Sequence, residues 1–169
     1  MIFRKRAPNP PAVQGQDRLD RLIRAHLPEA DEDTLRLAGA LTGLLACVAY
    51  ADRKYDVTEQ AHARDALQRV HGLGAAGVDA ICDTLRLHIA ELATTNMQVH
   101  TRQLRELSEL ELRREVLDVL VDLAAADGEL SLVETDLLRR TASAMGLTQD
   151  DYLLAQARHR ERLSVLRSS

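Results

Sequence analysis

Residues 126–134 read Ala126-Asp127-Gly128-Glu129-Leu130-Ser131-Leu132-Val133-Glu134, with Leu137-Leu138 and Met145-Gly146-Leu147 following. An acidic turn is followed by Ser131 and, three residues on, Glu134. This is the capping-box spacing, in which a hydroxyl and a carboxylate satisfy amides at a helix start. The helix begun there stops at Met145-Gly146, since glycine tolerates the left-handed conformation past a helix end. The same order stands 75 residues earlier: Ala51-Asp52 aligns with Ala126-Asp127, Asp56 with Ser131, Glu59 with Glu134, Ala63 with Leu138 and Val70 with Met145. After one inserted residue at His71, Gly72-Leu73 aligns with Gly146-Leu147. Caps, apolar stripe and stop coincide, as expected of an internal repeat. Each copy is helix, acidic turn, helix, glycine stop, helix, and neither copy covers its apolar faces alone. The expectation is a compact all-α bundle of two pseudo-symmetric helix-turn-helix repeats, about 33–95 and 108–166, whose acidic turns meet on one face.

Composition agrees. Of 169 residues, 29 are Leu and 24 Ala, against 11 Val, 4 Ile, 3 Tyr and 1 Phe, so strong helix formers far outnumber the residues a sheet favours. A chain of this length forms one domain and buries roughly 70% of its unfolded surface without staples. Two cysteines, Cys47 and Cys82, are too few for a disulfide framework. Both lie on apolar faces and read as core thiols. With no Trp and a net charge of −4, the chain lacks the stacking residues and the basic field that nucleic-acid binders use. That net value conceals a split: residues 1–27 carry +4, residues 152–169 carry +3, and the middle carries −11.

Residues 1–15, with Arg4, Lys5, Arg6 and three prolines, read as a disordered basic arm ahead of one helical domain over 16–169. No apolar stretch of signal-peptide length follows the basic start, so the expected location is cytoplasmic. A weak contact of the arm with anionic lipid is a further expectation. The domain opens with a short helix over 16–27, closed by Pro28. Asp33 is the expected cap of the next helix, whose uncharged run 37–51 covers about 22 Å, short of a bilayer, and reads as a helix buried on most sides. Ala63, Ala66, Leu67 and Val70 form the stripe of the following helix. Val78, Ile81, Cys82, Leu85, Ile89 and Leu92 form that of a helix over 77–95. A weaker helix spans 97–107, Ser108 and Glu111 suggest a capping box for a long helix to residue 126, and Thr148 caps the last.

The doubled acidic turn, with its cap and glycine stop, resembles the TerB-like family named for tellurite resistance. The likeness covers about 34–155, strongest in the second copy and degenerate in the first. The resemblance implies an all-α bundle of about seven or eight helices. It also implies a non-enzymatic protein of tellurite-resistance and stress operons, with an acidic surface that takes metal ions or protein partners. Relatives are fused to DnaJ-like co-chaperones, but no His-Pro-Asp triplet occurs here. The matching acidic positions are Asp127, Glu129 and Glu134 in the second copy, and Asp52 and Glu59 in the first.

Carboxylates from two facing turns suit a hard divalent cation, which needs several oxygen ligands. The competing account is structural: Glu59 and Glu134 serve as capping-box residues and the aspartates cap turns. Arg53 and Lys54 in the first copy count against a symmetric two-metal site. An EF-hand is excluded, because Leu132 stands where its loop requires Gly and Leu138 where it requires a bidentate Glu. Gly72-Leu73-Gly74-Ala75-Ala76-Gly77 spells a dinucleotide fingerprint but follows a helix, where that fingerprint needs a strand. The six histidines show no zinc spacing and read as surface residues. Asp118 and Asp122 read as a wet helix face, with Arg114 as mate to Asp118. Arg158, Arg160, Arg162 and Arg167 could touch phosphates, though nothing beside them reads bases. The leading expectation is a non-enzymatic TerB-like module that binds a divalent ion or a protein partner through its acidic surface. The alternatives are a metal-dependent hydrolase using the same carboxylates, and a peripheral scaffold on anionic lipid.

Overall fold

The computed structural model describes residues 11–128 and 130–168, with side chains from Gly15 onward. Eight helices make up the described chain, with no strand among the described residues: α1 Pro11–His26, α2 Glu32–Ala49, α3 Val57–Leu67, α4 Gly74–Leu92, α5 Met97–Leu107, α6 Leu110–Ala124, α7 Leu132–Ala144 and α8 Gln149–Arg167. The N-terminal arm assigned to residues 1–15 lies outside the described residues as far as residue 10. From Pro11 the chain is already helical, five residues before the expected start. Proline suits a first helical position, where its missing N–H would have no partner.

The uncharged run becomes the centre of the molecule. α2 packs against α1, α4, α5, α6 and α7, and it is buried along most of its length from Leu35 to Ala49. Its core partners include Leu19 and Ile23 of α1, Ile81 and Leu85 of α4, and Leu117 and Leu120 of α6. The expected stripe of α4 is buried at every position, although the helix runs three residues earlier at both ends than expected. Gly72 and Gly74 both adopt positive φ in the turn between α3 and α4. Since helix α3 precedes that turn, the dinucleotide fingerprint has no structural basis.

Two expected caps are corrected. Asp31, not Asp33, caps α2: its carboxylate accepts from the Thr34 amide at 2.8 Å and the Thr34 hydroxyl at 3.0 Å. In the run Asp31-Glu32-Asp33, the first residue takes the extended conformation a cap requires. Ser108 does not cap α6. Its hydroxyl donates to the Leu104 carbonyl at the end of α5, while Arg114 draws Glu111 away at 2.5 Å.

Part of the split in charge is settled within the bundle, along the seam of α6 and α8. Arg158 grips Asp118 with Nε and Nη2 at 2.8 to 3.0 Å, displacing the expected partner Arg114, which instead meets Asp151 at 2.8 Å. Asp122, 12% exposed, takes Arg162 at 2.5 Å, His159 Nδ1 at 2.6 Å and also Arg69. Asp118 and Asp122 are therefore a ladder for the last helix, not a wet face. His159 and the fully buried His100 likewise depart from the surface position expected of histidines. Cys82 is buried and Cys47 half-buried; burial raises both thiols above their ordinary pKa, the environment of unreactive thiols.

Candidate functional site

The two acidic turns are shaped by the residues that align between copies. Asp56 at the start of α3 accepts from the Thr58 and Glu59 amides, and Glu59 returns to the Asp56 amide at 2.7 Å. Ser131 at the start of α7 accepts from the Glu134 amide, and Glu134 returns to the Ser131 amide at 2.7 Å. Each turn also contains a residue at positive φ: Gly128 at 139° in the second, and Arg53 at 64° in the first. The first turn keeps a left-handed bend without glycine, helped by Asp52, whose carboxylate accepts from the Lys54 amide at 2.9 Å.

These turns meet. Asp52, Glu59, Asp127 and Glu134 line one cleft, floored by Val48 and Ala49 of α2 and by Leu123 and Ala124 of α6. Glu129 lies outside the described residues. The ends of α2 and α6 thus bring together carboxylates 75 positions apart in sequence, as expected from the repeat. The cleft holds about 10 Å³, close to the room one water needs and too little for a substrate. Burial raises the Glu59 carboxyl above its ordinary pKa; the Asp56 amide opposes the rise, and the carboxylates of Asp56, Asp52 and Asp127 add to it. Asp127 belongs to the second turn, so the like-charge crowding spans both turns.

The chemistry of these donors suits a hard cation, but their resting arrangement is not a ready-made cage. Among the described residues, no group of three or more His, Cys, Asp or Glu side chains is placed to hold a metal ion. The reason is local: Glu59, Glu134 and Asp52 each commit one oxygen to a backbone amide of their own turn.

The sequence reading missed what surrounds the carboxylates. Val57, Leu132 and Val133 stand 79%, 86% and 73% exposed at the first positions of α3 and α7. Val57 and Leu132 occupy equivalent places in the two copies. The signal was available, because a large aliphatic residue directly after a cap points away from a core entered one turn later.

A family model for the tellurite resistance protein TerB matches residues 38–157. The chain belongs to the TerB family. The match spans both acidic turns of this TerB-family chain and all helices from α3 to α7. No curated protein and no solved structure shows significant similarity to it. Among the described residues, no helix is long and apolar enough to cross a membrane.

Proposed function

We propose that this TerB-family chain is a non-catalytic binding module of tellurite resistance and the stress response, and that its working end is the paired acidic turns. The ligand this end suits best is a protein segment carrying basic and aliphatic side chains. One observation carries the reading: four carboxylates converge at one end, and large aliphatic residues stand exposed beside them in both copies. A carboxylate whose charged form is disfavoured by burial and neighbouring negative charge, as Glu59 is, gains from a guanidinium or ammonium group placed beside it. Exposed aliphatic side chains at the rim supply apolar area that such a segment covers. A cleft with room for about one water does not accommodate hydrolysis of a substrate.

A second reading has its own support. A divalent ion is the size of that cleft and would neutralise the same charge, with Asp52, Glu59, Asp127 and Glu134 as the residues to hold it. Backbone amide shifts separate the two. A synthetic amphipathic Lys/Leu helix is expected to move Val57, Glu59, Asp127, Leu132 and Val133, and to bind more weakly to the L132S/V133S variant. Shifts elsewhere, or unchanged affinity in that variant, would overturn the partner reading. Titration with Ca²⁺, Mg²⁺, Mn²⁺ and Zn²⁺ tests the ion, and silence at both turns for all four removes it.

A further inference from the structure

A second concavity lies beside the acidic end, between the close of α6 and the outer half of α8. It has a volume of about 690 Å³, within the range of small-molecule sites and far larger than the acidic cleft. Its apolar walls are Val121, Ala125, Leu130 and Leu163. Its polar lining from α8 consists of Gln156, His159, Arg160 and Arg167. With Leu163, these fall at helical spacing along one stripe.

The ion-pair ladder explains why this stripe is left with positive charge. Of the α8 cations, Arg158 is taken by Asp118, while Arg162 and His159 Nδ1 are taken by Asp122. Asp122 also binds Arg69, so its oxygens are already shared among three cationic side chains. Nothing remains for Arg160 and Arg167, which are exposed and make no ion pair among the described residues. His159 lines the groove with its ring already tied to Asp122 through Nδ1, and its Nε2 is closed off from solvent.

We propose that this groove is a binding site for an amphiphilic anion, a carboxylate or phosphate head on a short apolar body. Arg160 and Arg167 hold the head, and Val121, Ala125 and Leu163 cover the body. Asp127 forms the far wall and sets the direction, since its carboxylate repels the head toward α8. Guanidinium groups suit either head because their planar N–H pairs match two oxygens at once. The site goes beyond the acidic end and does not depend on it.

Calorimetric titration of the full chain with octyl phosphate, octanoate and inorganic phosphate, with amide shifts recorded in parallel, tests the proposal. Octyl phosphate or octanoate is expected to saturate one site and to move Val121, Ala125, His159, Arg160, Leu163 and Arg167. The R160Q and R167Q substitutions are each expected to weaken binding about tenfold, as loss of a charge-assisted hydrogen bond does. Both side chains are exposed and make no ion pair among the described residues, so the thermal midpoint of the double variant should not move. Absence of saturable binding by about 1 mM, a millimolar Kd being the weak end of specific binding, would overturn the proposal. So would unchanged affinity in the double variant. Equal binding of inorganic phosphate would show that the apolar wall contributes nothing, and defeat the amphiphile. Binding to anionic phospholipid vesicles without binding of free octyl phosphate would assign these arginines to a membrane surface instead, and overturn it too.

Discussion

His100 on α5 is fully buried, and its surroundings decide its protonation. The Thr95 hydroxyl donates to the Leu92 carbonyl at 2.6 Å, so its oxygen is left to accept, at 2.7 Å, from His100 Nε2. The proton of the neutral ring therefore sits on Nε2, and Nδ1 is a bare, buried nitrogen with no partner. Protonating Nδ1 would place a charge and an unmatched N–H in the core, and burial accordingly lowers the His100 pKa from 6.5 to about 4. In the unfolded chain this histidine takes up its proton near pH 6.5, while the folded chain resists until about pH 4. The stability it contributes is complete above the higher value and drains away as pH falls through the window. The difference is worth about 3 kcal/mol at 1.36 kcal/mol per pH unit. The measurement is urea unfolding from about pH 7 down to about pH 4, on the native chain and on H100Q, whose amide can still donate to Thr95. Other titrating groups act on both, so the native chain should lose roughly 3 kcal/mol more than the variant over that span. Parallel pH profiles would refute the reasoning, as would an imidazole resonance of His100 titrating near its ordinary value in the folded chain.

Three further outcomes are expected. A Cβ on Gly43 would lie 2.3 Å from the His100 ring, so G43A should cost about 1–3 kcal/mol. In an H100A background the same change should become stabilising by up to about 1 kcal/mol through helix propensity, and equal effects in both backgrounds would remove the close approach as cause. D122A leaves Arg69, His159 and Arg162 facing one another and should lower stability by roughly 3 kcal/mol in denaturant unfolding; a loss below about 1 kcal/mol would mean the ladder is ornamental. R53G should raise the thermal midpoint, because Arg53 sits at φ 64° where a side chain costs about 1 kcal/mol, and a lowered midpoint would show its side chain to be needed.

Sequence patterns carried the elements well and their long-range meetings unevenly. The capping boxes of the two acidic turns, the glycine stop of α7 and the buried face of α4 could be read from local spacing, because caps and stripes are set by residues within a turn or two of one another, whereas α3 ends at Leu67, short of the expected stop at Gly72. The meeting of Asp52 and Glu59 with Asp127 and Glu134 was expected from the alignment of two stretches 75 residues apart, which turns a local pattern into an expectation about distant chain. Nothing comparable announced the Asp122 hub. Its partners come from the turn after α3 and from α8, and a carboxylate ladder on one helix matched to a cationic ladder 40 residues later has no local signature. His100 escaped for a related reason. A histidine in the largely polar helix α5 looks like surface until the facing glycine of α2 is known, although Gly43 within an apolar helix was a hint that something pressed close. The two aspartates of Asp31-Glu32-Asp33 show the limit of cap assignment: identical capping chemistry, and only backbone geometry to choose between them.

The α6–α8 ladder has a consequence for how the protein is made. A ribosome delivers α6 well before α8, so a nascent chain holds Asp118 without its cation and Asp122 with Arg69 alone of its three. The apolar surface that Tyr152 and Ala155 will cover is open for the same interval. Closure must await the last helix, and a truncation or stall ahead of Gln149 leaves a bundle with one side both charged and bare. Quality control acting on this chain therefore has its clearest signal of incompleteness along one seam, legible until the final turn of synthesis is finished.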